Sequence, residues 1–316
     1  MTMSLWLPAL AGRQALKPLL ILAAIAPVAG DTGQDCQEAQ ALARQTYEQR
    51  RYDQSALYFA RAVTACGATA PLLLALGQAH LLAQHPADAI AVLDRIPIDD
   101  ADYLQVLKVK AKALYLMRRD PEAEAALKRA AARAPADAEI PYDLGRIYYQ
   151  QGRHKEAAES LRRATELDTR AYKAWDGLGL ATEALGDVAQ AQQHYLKALA
   201  LVHKDHPHYD VVYANFADLL IKLGNYQRAF DLAAEAAQRN PAEARNFFLA
   251  GKALVQVGRS DLSVRWFEQA IALNADYPEP HYLLWQAYRK LGREADAERA
   301  MKSFQAASAR APKERR

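Results

Sequence analysis

The feature that most limits what this chain can fold into is a period. The segment DLGRIYYQQGRHKEAAESLRRA, from Asp143, returns in outline as GLGLATEALGDVAQAQQHYLKA from Gly177 and as NFADLLIKLGNYQRAFDLAAEA from Asn215. It returns again as LAGKALVQVGRSDLSVRWFEQA from Leu249 and LWQAYRKLGREADAERAMKSFQ from Leu284, at a step of about 34 residues. A chain with so short a period cannot gather around one central core; each copy must bury its apolar face against its neighbours. Laid along the sequence, the frame gives units at 36–69, 70–103, 104–137, 138–171, 172–205, 210–243, 244–277 and 278–311. One irregularity interrupts it: residues 206–209 are a spacer inside the histidine-rich stretch HKDHPHYD, His203 to Asp210.

Within a unit, apolar residues recur at steps of three and four, the period of a helix. In the fourth unit a first helix carries Leu144, Ile147 and Tyr148, Gly152 marks a turn, and a second helix carries Ala157, Leu161 and Ala164. Small residues recur at one place in the first helix, as Gly145, Gly179, Gly251, Ala43, Ala111 and Ala217, where two helices must approach closely. Ala157, Ala191 and Ala229 keep volume low from the second helix, and Phe59, Tyr195 and Phe267 fill the gap before the next hairpin. Pro135 and Pro241 end helices where units close. With only 14 glycines and 14 prolines in 316 residues, the composition is that of a helical protein.

This pattern resembles the tetratricopeptide repeat family, whose units are paired antiparallel helices. The resemblance implies an all-α fold, an α-solenoid with a right-handed superhelix of about eight helix-turn-helix hairpins over 31–311, followed by a basic tail at 312–316. The first three units depart most from the family pattern. Gln84 and Arg118 stand where a turn glycine is usual, and Pro86 and Asp120 where an aromatic is usual.

Residues 1–30 have a different character. Arg13 and Lys17 precede the apolar run Leu19–Ala26, which leads into PVAG and then the polar DTGQD. Charged region, short apolar core and small residues describe a secretory signal peptide cleaved after Gly30, or an uncleaved anchor. Either places the protein in the periplasm or outside the cell, with membrane contact only in the uncleaved case. The net charge of +3, with both signs interspersed, lacks the concentrated basic footprint that nucleic acid requires.

The two cysteines take their meaning from the hairpin. Cys36 opens the first helix of the first unit and Cys66 ends the second, nearly equidistant from a turn at Arg50 and Arg51. An antiparallel pair brings them together at its open end, as a disulfide in an oxidising compartment or as two reduced, buried thiols.

No nucleophile elbow, phosphate-cradling glycine loop or metalloprotease helix is present, and no cofactor is expected. His203, His206 and His208 would make a metal site only if their loop folded tightly around an ion, and Pro207 interrupts any helix through them. His80, His85, His154, His194 and His281 show no evident acid partner by spacing. An enzyme is therefore disfavoured against a binding protein.

In the resembled family the first helix of each unit lines a concave surface that holds ligands. Carried onto this frame, the ligand-facing places are Lys108, Lys112 and Tyr115 in the third unit and Tyr142, Arg146 and Tyr149 in the fourth. The fifth unit offers Lys173, Asp176 and Glu183, and the sixth Asn215 and Asp218. The seventh adds Arg245, Phe248 and Lys252, and the eighth Tyr282, Gln286 and Arg289. Tyrosine beside arginine or lysine supplies rigid apolar area with polar handles for an extended or helical segment of a protein or peptide. The resemblance also includes a pocket that clamps a terminal carboxylate with lysines and asparagines. Asn215 alone is an asparagine at a relevant place, so an internal segment is the expected ligand. A carbohydrate- or cell-wall-binding accessory is the alternative, favoured if Tyr115, Tyr142 and Tyr149 form an open platform. Mass spectrometry of the non-reduced protein from the cell envelope should show a start near Asp31 and a mass about 2 Da below that of the dithiol; a full-length, reduced, cytosolic chain would contradict export.

Overall fold

A computed structural model describes residues 32–310, apart from the side chains of Thr32, Lys204 and Asp205. The leader expected at 1–30 and the basic tail at 312–316 lie outside the described residues. Among the described residues the structure is all-α, an α-solenoid of sixteen helices pairing in chain order into eight hairpins. These fall into two compact units, one ending at Asp168 and the other beginning at Thr169.

The first unit holds four hairpins: α1 (Thr32–Glu48) with α2 (Tyr52–Cys66), α3 (Ala70–Leu82) with α4 (Pro86–Leu93), α5 (Tyr103–Leu116) with α6 (Asp120–Arg133), and α7 (Glu139–Gln150) with α8 (His154–Leu167). The second holds α9 (Tyr172–Ala184) with α10 (Val188–Asp205), α11 (Val211–Lys222) with α12 (Tyr226–Arg239), α13 (Ala244–Gln256) with α14 (Ser260–Leu273), and α15 (Pro278–Lys290) with α16 (Glu294–Arg310). Within each unit successive first helices touch one another: α3 with α5 and α5 with α7 in the first, α9 with α11, α11 with α13 and α13 with α15 in the second. No two second helices are in comparable contact among the described residues, so the first helices form the more closely packed, inner row of each unit.

Every hairpin turns by the same device. One residue takes a left-handed conformation, and the next N–H returns to a carbonyl five residues back, as from Arg153 to Tyr148 at 2.9 Å and from Arg293 to Tyr288 at 2.9 Å. This is the Schellman closure, which satisfies a carbonyl that the helix end would otherwise leave open. Gly152, Gly186, Gly224, Gly258 and Gly292 occupy the left-handed place in five hairpins; Arg50, Gln84 and Arg118 occupy it in the first three, with φ of 57°, 65° and 59°. The geometry is therefore kept where the sequence departs from the family pattern, against the cost of a Cβ in that conformation.

Close approach of the paired helices explains the small residues. A Cβ added at Gly179 would lie 2.6 Å from the Tyr195 ring, and one at Gly251 would lie 2.6 Å from the Phe267 ring. Both rings are fully buried. Gly77, against Leu93, belongs to the same series.

Two features stand outside the repeat pattern. Cys36 and Cys66 form a disulfide at the open end of the first hairpin, with Gln40 Nε2 donating to both sulfurs at 3.4 and 3.2 Å. Closing a loop with a sequence separation of 30 restricts the unfolded chain by roughly 3 to 4 kcal/mol in the chain-entropy account. The spacer at 206–209 follows an α10 of 18 residues. Arg239 holds it down, donating from Nη1 to the carbonyls of His206 and Pro207 at 3.2 and 3.3 Å.

Arg118→Gly should raise stability in urea unfolding by roughly 1 kcal/mol through relief of the left-handed Cβ. Gly179→Ala should lower it by about 1 to 3 kcal/mol, because the Tyr195 ring has no room to retreat. The reverse order of the two variants would contradict this account of the hairpin.

Candidate binding face on the first helices

The inner row of the first unit gathers six of the expected residues in one place. Lys108, Lys112 and Tyr115 come from α5, and Tyr142, Arg146 and Tyr149 from α7. The Arg146 guanidinium lies over the Tyr115 ring at 4.9 Å and near the Tyr142 ring at 5.7 Å, cation–π contacts that hold all three side chains. Tyr149 packs on His154 at 5.2 Å. Tyr142, Arg146 and Tyr149 are half-buried, so each keeps surface for a partner.

The basic groups of this cluster are already matched within the protein. Lys108, only 7 % exposed, donates to Asp137 at 2.8 Å and pairs with Glu139. Lys112 pairs with Glu139 as well and lies 4.0 Å from Asp143, which Arg146 approaches at 3.5 Å. Burial works to raise the Glu139 pKa, but the hydrogen bonds from Lys108 and Lys112 outweigh it and hold this carboxyl below its ordinary value. Asp143 goes the other way: burial raises it despite Lys112 and Arg146. Asp137, Glu139 and Asp143 were not among the expected site residues. Their signal is positional, since they open or follow the opening of the next first helix, facing the lysines of the one before.

In the second unit the inner row is a buried polar ladder. Asp176, on α9, is fully buried and accepts from Asn215 Nδ2 and from the Tyr209 hydroxyl, both at 3.0 Å. Asn215, on α11, accepts in turn from Arg245 Nη1 on α13 at 3.1 Å. Its carboxamide is thus engaged on both sides, which removes it as a clamp for a ligand carboxylate. Beside this ladder Asp218 meets Lys222 at 3.0 Å and Lys252 at 3.7 Å, and Lys222 reaches Glu183 at 2.7 Å. Phe248 is buried against Tyr277, with ring centroids 5.1 Å apart. Lys173 is exposed beside Tyr172. Tyr282, Gln286 and Arg289 are exposed on α15, where Tyr282 and Arg289 flank Trp285, a residue the periodic frame does not select.

Several of the side chains selected as ligand-facing also serve packing: Lys108, Tyr115, Asp176, Asn215 and Phe248 are buried and tie neighbouring hairpins together. One sequence expectation needs correction. Isolated histidines were expected to lack acid partners, yet His85 lies 3.8 Å from Asp53 and groups with His80 and Asp88. The histidine-rich stretch has structural contacts: the His206 ring packs on Tyr172 at 4.1 Å, and the His203 carbonyl accepts from Arg239 at 3.4 Å. The spacer also delivers Tyr209 to Asp176.

With its helix hairpins in chain order and inner rows of aromatic and charged side chains, the structure is that of a helical-repeat protein. Three models described as tetratricopeptide repeat match residues 121–178, 170–242 and 214–278. The chain belongs to the tetratricopeptide repeat family. It is 35% identical over 74 residues to the TPR repeat-containing protein PA0015 of Pseudomonas aeruginosa, covering 23% of this chain and 70% of that one. It is 28% identical over 144 residues to the type IV pilus assembly protein PilF of the same organism, covering 45% of this chain and 55% of the relative. Over 184 residues it is 24% identical to anaphase-promoting complex subunit 3 of Schizosaccharomyces pombe, covering 58% of this chain and 27% of the relative. The chain thus spans about half the length of the pilus protein and about a quarter of the yeast one. Among solved structures, a tetratricopeptide repeat protein from Parabacteroides merdae shares the fold with a TM-score of 0.62 at 16% identity, covering 81% of this chain and 99% of that chain. A chain of the APC/C hetero-tetramer Cut9-Hcn1 does so with a TM-score of 0.63 at 12% identity, covering 86% and 52%.

The ladder makes a pH prediction. Desolvation raises the Asp176 pKa from 3.8 to about 6, although the hydrogen bonds from Asn215 and Tyr209 and the charge of Arg245 oppose it and Asp210 adds to it. The folded state therefore binds this proton more tightly than the unfolded chain, a stabilisation present below 3.8 and lost as pH rises through about 6. Asp176→Asn should flatten that part of the stability–pH curve while keeping the fold. Urea unfolding between these limits measures it, and equal slopes for the two proteins would rule the assignment out.

Proposed function

We propose that this protein is a non-catalytic scaffold or adaptor that holds a protein or peptide segment against the inner row of its repeats. The observation that carries this reading is the set Tyr142, Arg146 and Tyr149 on α7. Arg146 is positioned by Tyr115 and Asp143, Tyr142 lies beside Arg146, Tyr149 packs on His154, and each retains exposed surface. Pre-positioned aromatic and arginine side chains are the groups that dominate affinity at protein interfaces. Because Lys108 and Lys112 are already paired with carboxylates, an internal segment fits this surface better than a free terminal carboxylate. The names of the two relatives, one a pilus assembly protein and the other a subunit of the anaphase-promoting complex, support the same reading.

A sugar-binding platform finds less support. Tyr115 is buried, and Arg146 lies between it and Tyr142, so the three rings do not form one open apolar surface. A location in the cell envelope is consistent with the Cys36–Cys66 disulfide, the leader-like residues 1–30 and the similarity to a pilus assembly protein.

The test is capture from cell-envelope extract with the wild type beside Tyr142→Ala/Tyr149→Ala. A partner recovered at least about ten-fold less with the variant, at unchanged helicity and melting temperature, is the expected result. Equal recovery would remove the site from the third and fourth hairpins.

A further inference from the structure

The turn of the second hairpin brings together three metal-ligating side chains outside the inner-row cluster. His80 lies in the last turn of α3, His85 directly precedes α4, and Asp88 lies in the first turn of α4. One ligand atom from each lies within 4.8 Å of the others. The backbone fixes their spacing, because the His85 N–H closes the turn onto the His80 carbonyl at 2.8 Å. From the preceding hairpin, Asp53 in the first turn of α2 places Oδ1 3.8 Å from His85 Nδ1.

The repeat shows what this place ordinarily holds. In the fourth hairpin the corresponding residues are Tyr148, Arg153 and Glu156, and in the eighth Tyr288, Arg293 and Asp296. There the arginine covers the tyrosine ring at 4.2 and 4.4 Å and pairs with the acid. The tyrosine hydroxyl donates to a carboxylate on the preceding second helix, Glu124 at 3.1 Å and Glu268 at 2.7 Å. In the second hairpin the Tyr and Arg places are both histidine, the acid is kept as Asp88, and Asp53 supplies the carboxylate from the preceding second helix. The two histidine rings meet only at a centroid distance of 6.3 Å, the guanidinium pair with the acid is lost, and His80 Nδ1 is buried with no hydrogen-bond partner.

We infer that His80, His85 and Asp88, with Asp53 beside them, form a structural site for a divalent transition metal, with zinc as the reference ion. Two imidazoles and a carboxylate are a donor set suited to zinc and its neighbours. Metal–ligand lengths of about 2.0–2.2 Å bring tetrahedral donors to about 3.4 Å apart. The exposed His85 and Asp88 side chains must therefore close by about an ångström on the half-buried His80. The ion would pin the turn at Gln84, and an α4 of only eight residues, to the start of α2 in the first hairpin. That is a staple at the end of the array where the family pattern is weakest.

The experiment is zinc titration of the untagged, chelator-treated full chain by calorimetry, with thermal melting in parallel. Expected are binding at one site tighter than about 10 µM at neutral pH, weakening of at least about ten-fold by pH 5.5, and a zinc-dependent rise in melting temperature. His80→Leu should abolish binding and keep the fold, because Leu114, Leu220 and Leu254 hold the same place in other hairpins. His85→Ala/Asp88→Ala should also abolish it, and His206→Ala/His208→Ala should leave it unchanged. No zinc binding tighter than about 100 µM, binding that survives His80→Leu, or binding lost with His206→Ala/His208→Ala would each overturn the assignment. None of these results depends on the partner-binding reading of the inner row.

Discussion

The structure depends on how closely two helices can approach within one hairpin. The first helix presents a residue with little or no side chain, and the second fills that space with a buried group, as Gly145 receives Leu161 and Gly251 receives Phe267. The left-handed turn sets the register that brings these positions opposite one another. Because one hairpin cannot bury its apolar faces alone, it must be covered by the next, and stability resides largely in those interfaces. A repeat array therefore exposes a row of helix faces whose side chains are free to differ from one hairpin to the next, while the contacts between hairpins must recur.

Much of this was legible in the sequence because it recurs. The period, the small-residue place, the turns and the spacer at 206–209 are all read by comparing the chain with itself, and sixteen helices in eight hairpins follow from it. Side-chain roles on the inner row were only half legible. The frame selects Lys108 and Asp176 as ligand-facing, but it does not reveal that Asp137 and Glu139 meet the first, or that Tyr209 meets the second. Those partners come from neighbouring hairpins, at sequence separations that depend on loop length and rotamer, not on the period. The division at Asp168 leaves no mark in the repeat pattern at all.

The two inner rows manage charge differently. In the first unit, lysines and an arginine are offset by acids in ion pairs that range from buried at Lys108 and Asp143 to half-exposed at Lys112 and Glu139. In the second, a buried carboxylate is kept by amide, hydroxyl and guanidinium donors, an arrangement in which removing one member leaves the others without partners. The consequence for recognition is the same. Most of the formal charge on these helices is engaged within the protein, so under the proposed function a partner would meet tyrosine faces, aliphatic stems and already hydrogen-bonded groups.

A surface of that kind discriminates by shape more than by long-range attraction. Steering by a net field needs uncompensated charge of one sign, and the interspersed signs of this chain do not supply it. Affinity must then come from desolvating rigid aromatic area around a fixed polar centre, which requires that the centre not move when the partner leaves. Arg146 meets that requirement: its guanidinium lies over the Tyr115 and Tyr142 rings, and Asp143 Oδ1 lies 3.5 Å from it. On the proposed reading, the buried residues of the inner row belong to the binding surface in an indirect sense, since they hold in place the few groups that a partner would touch.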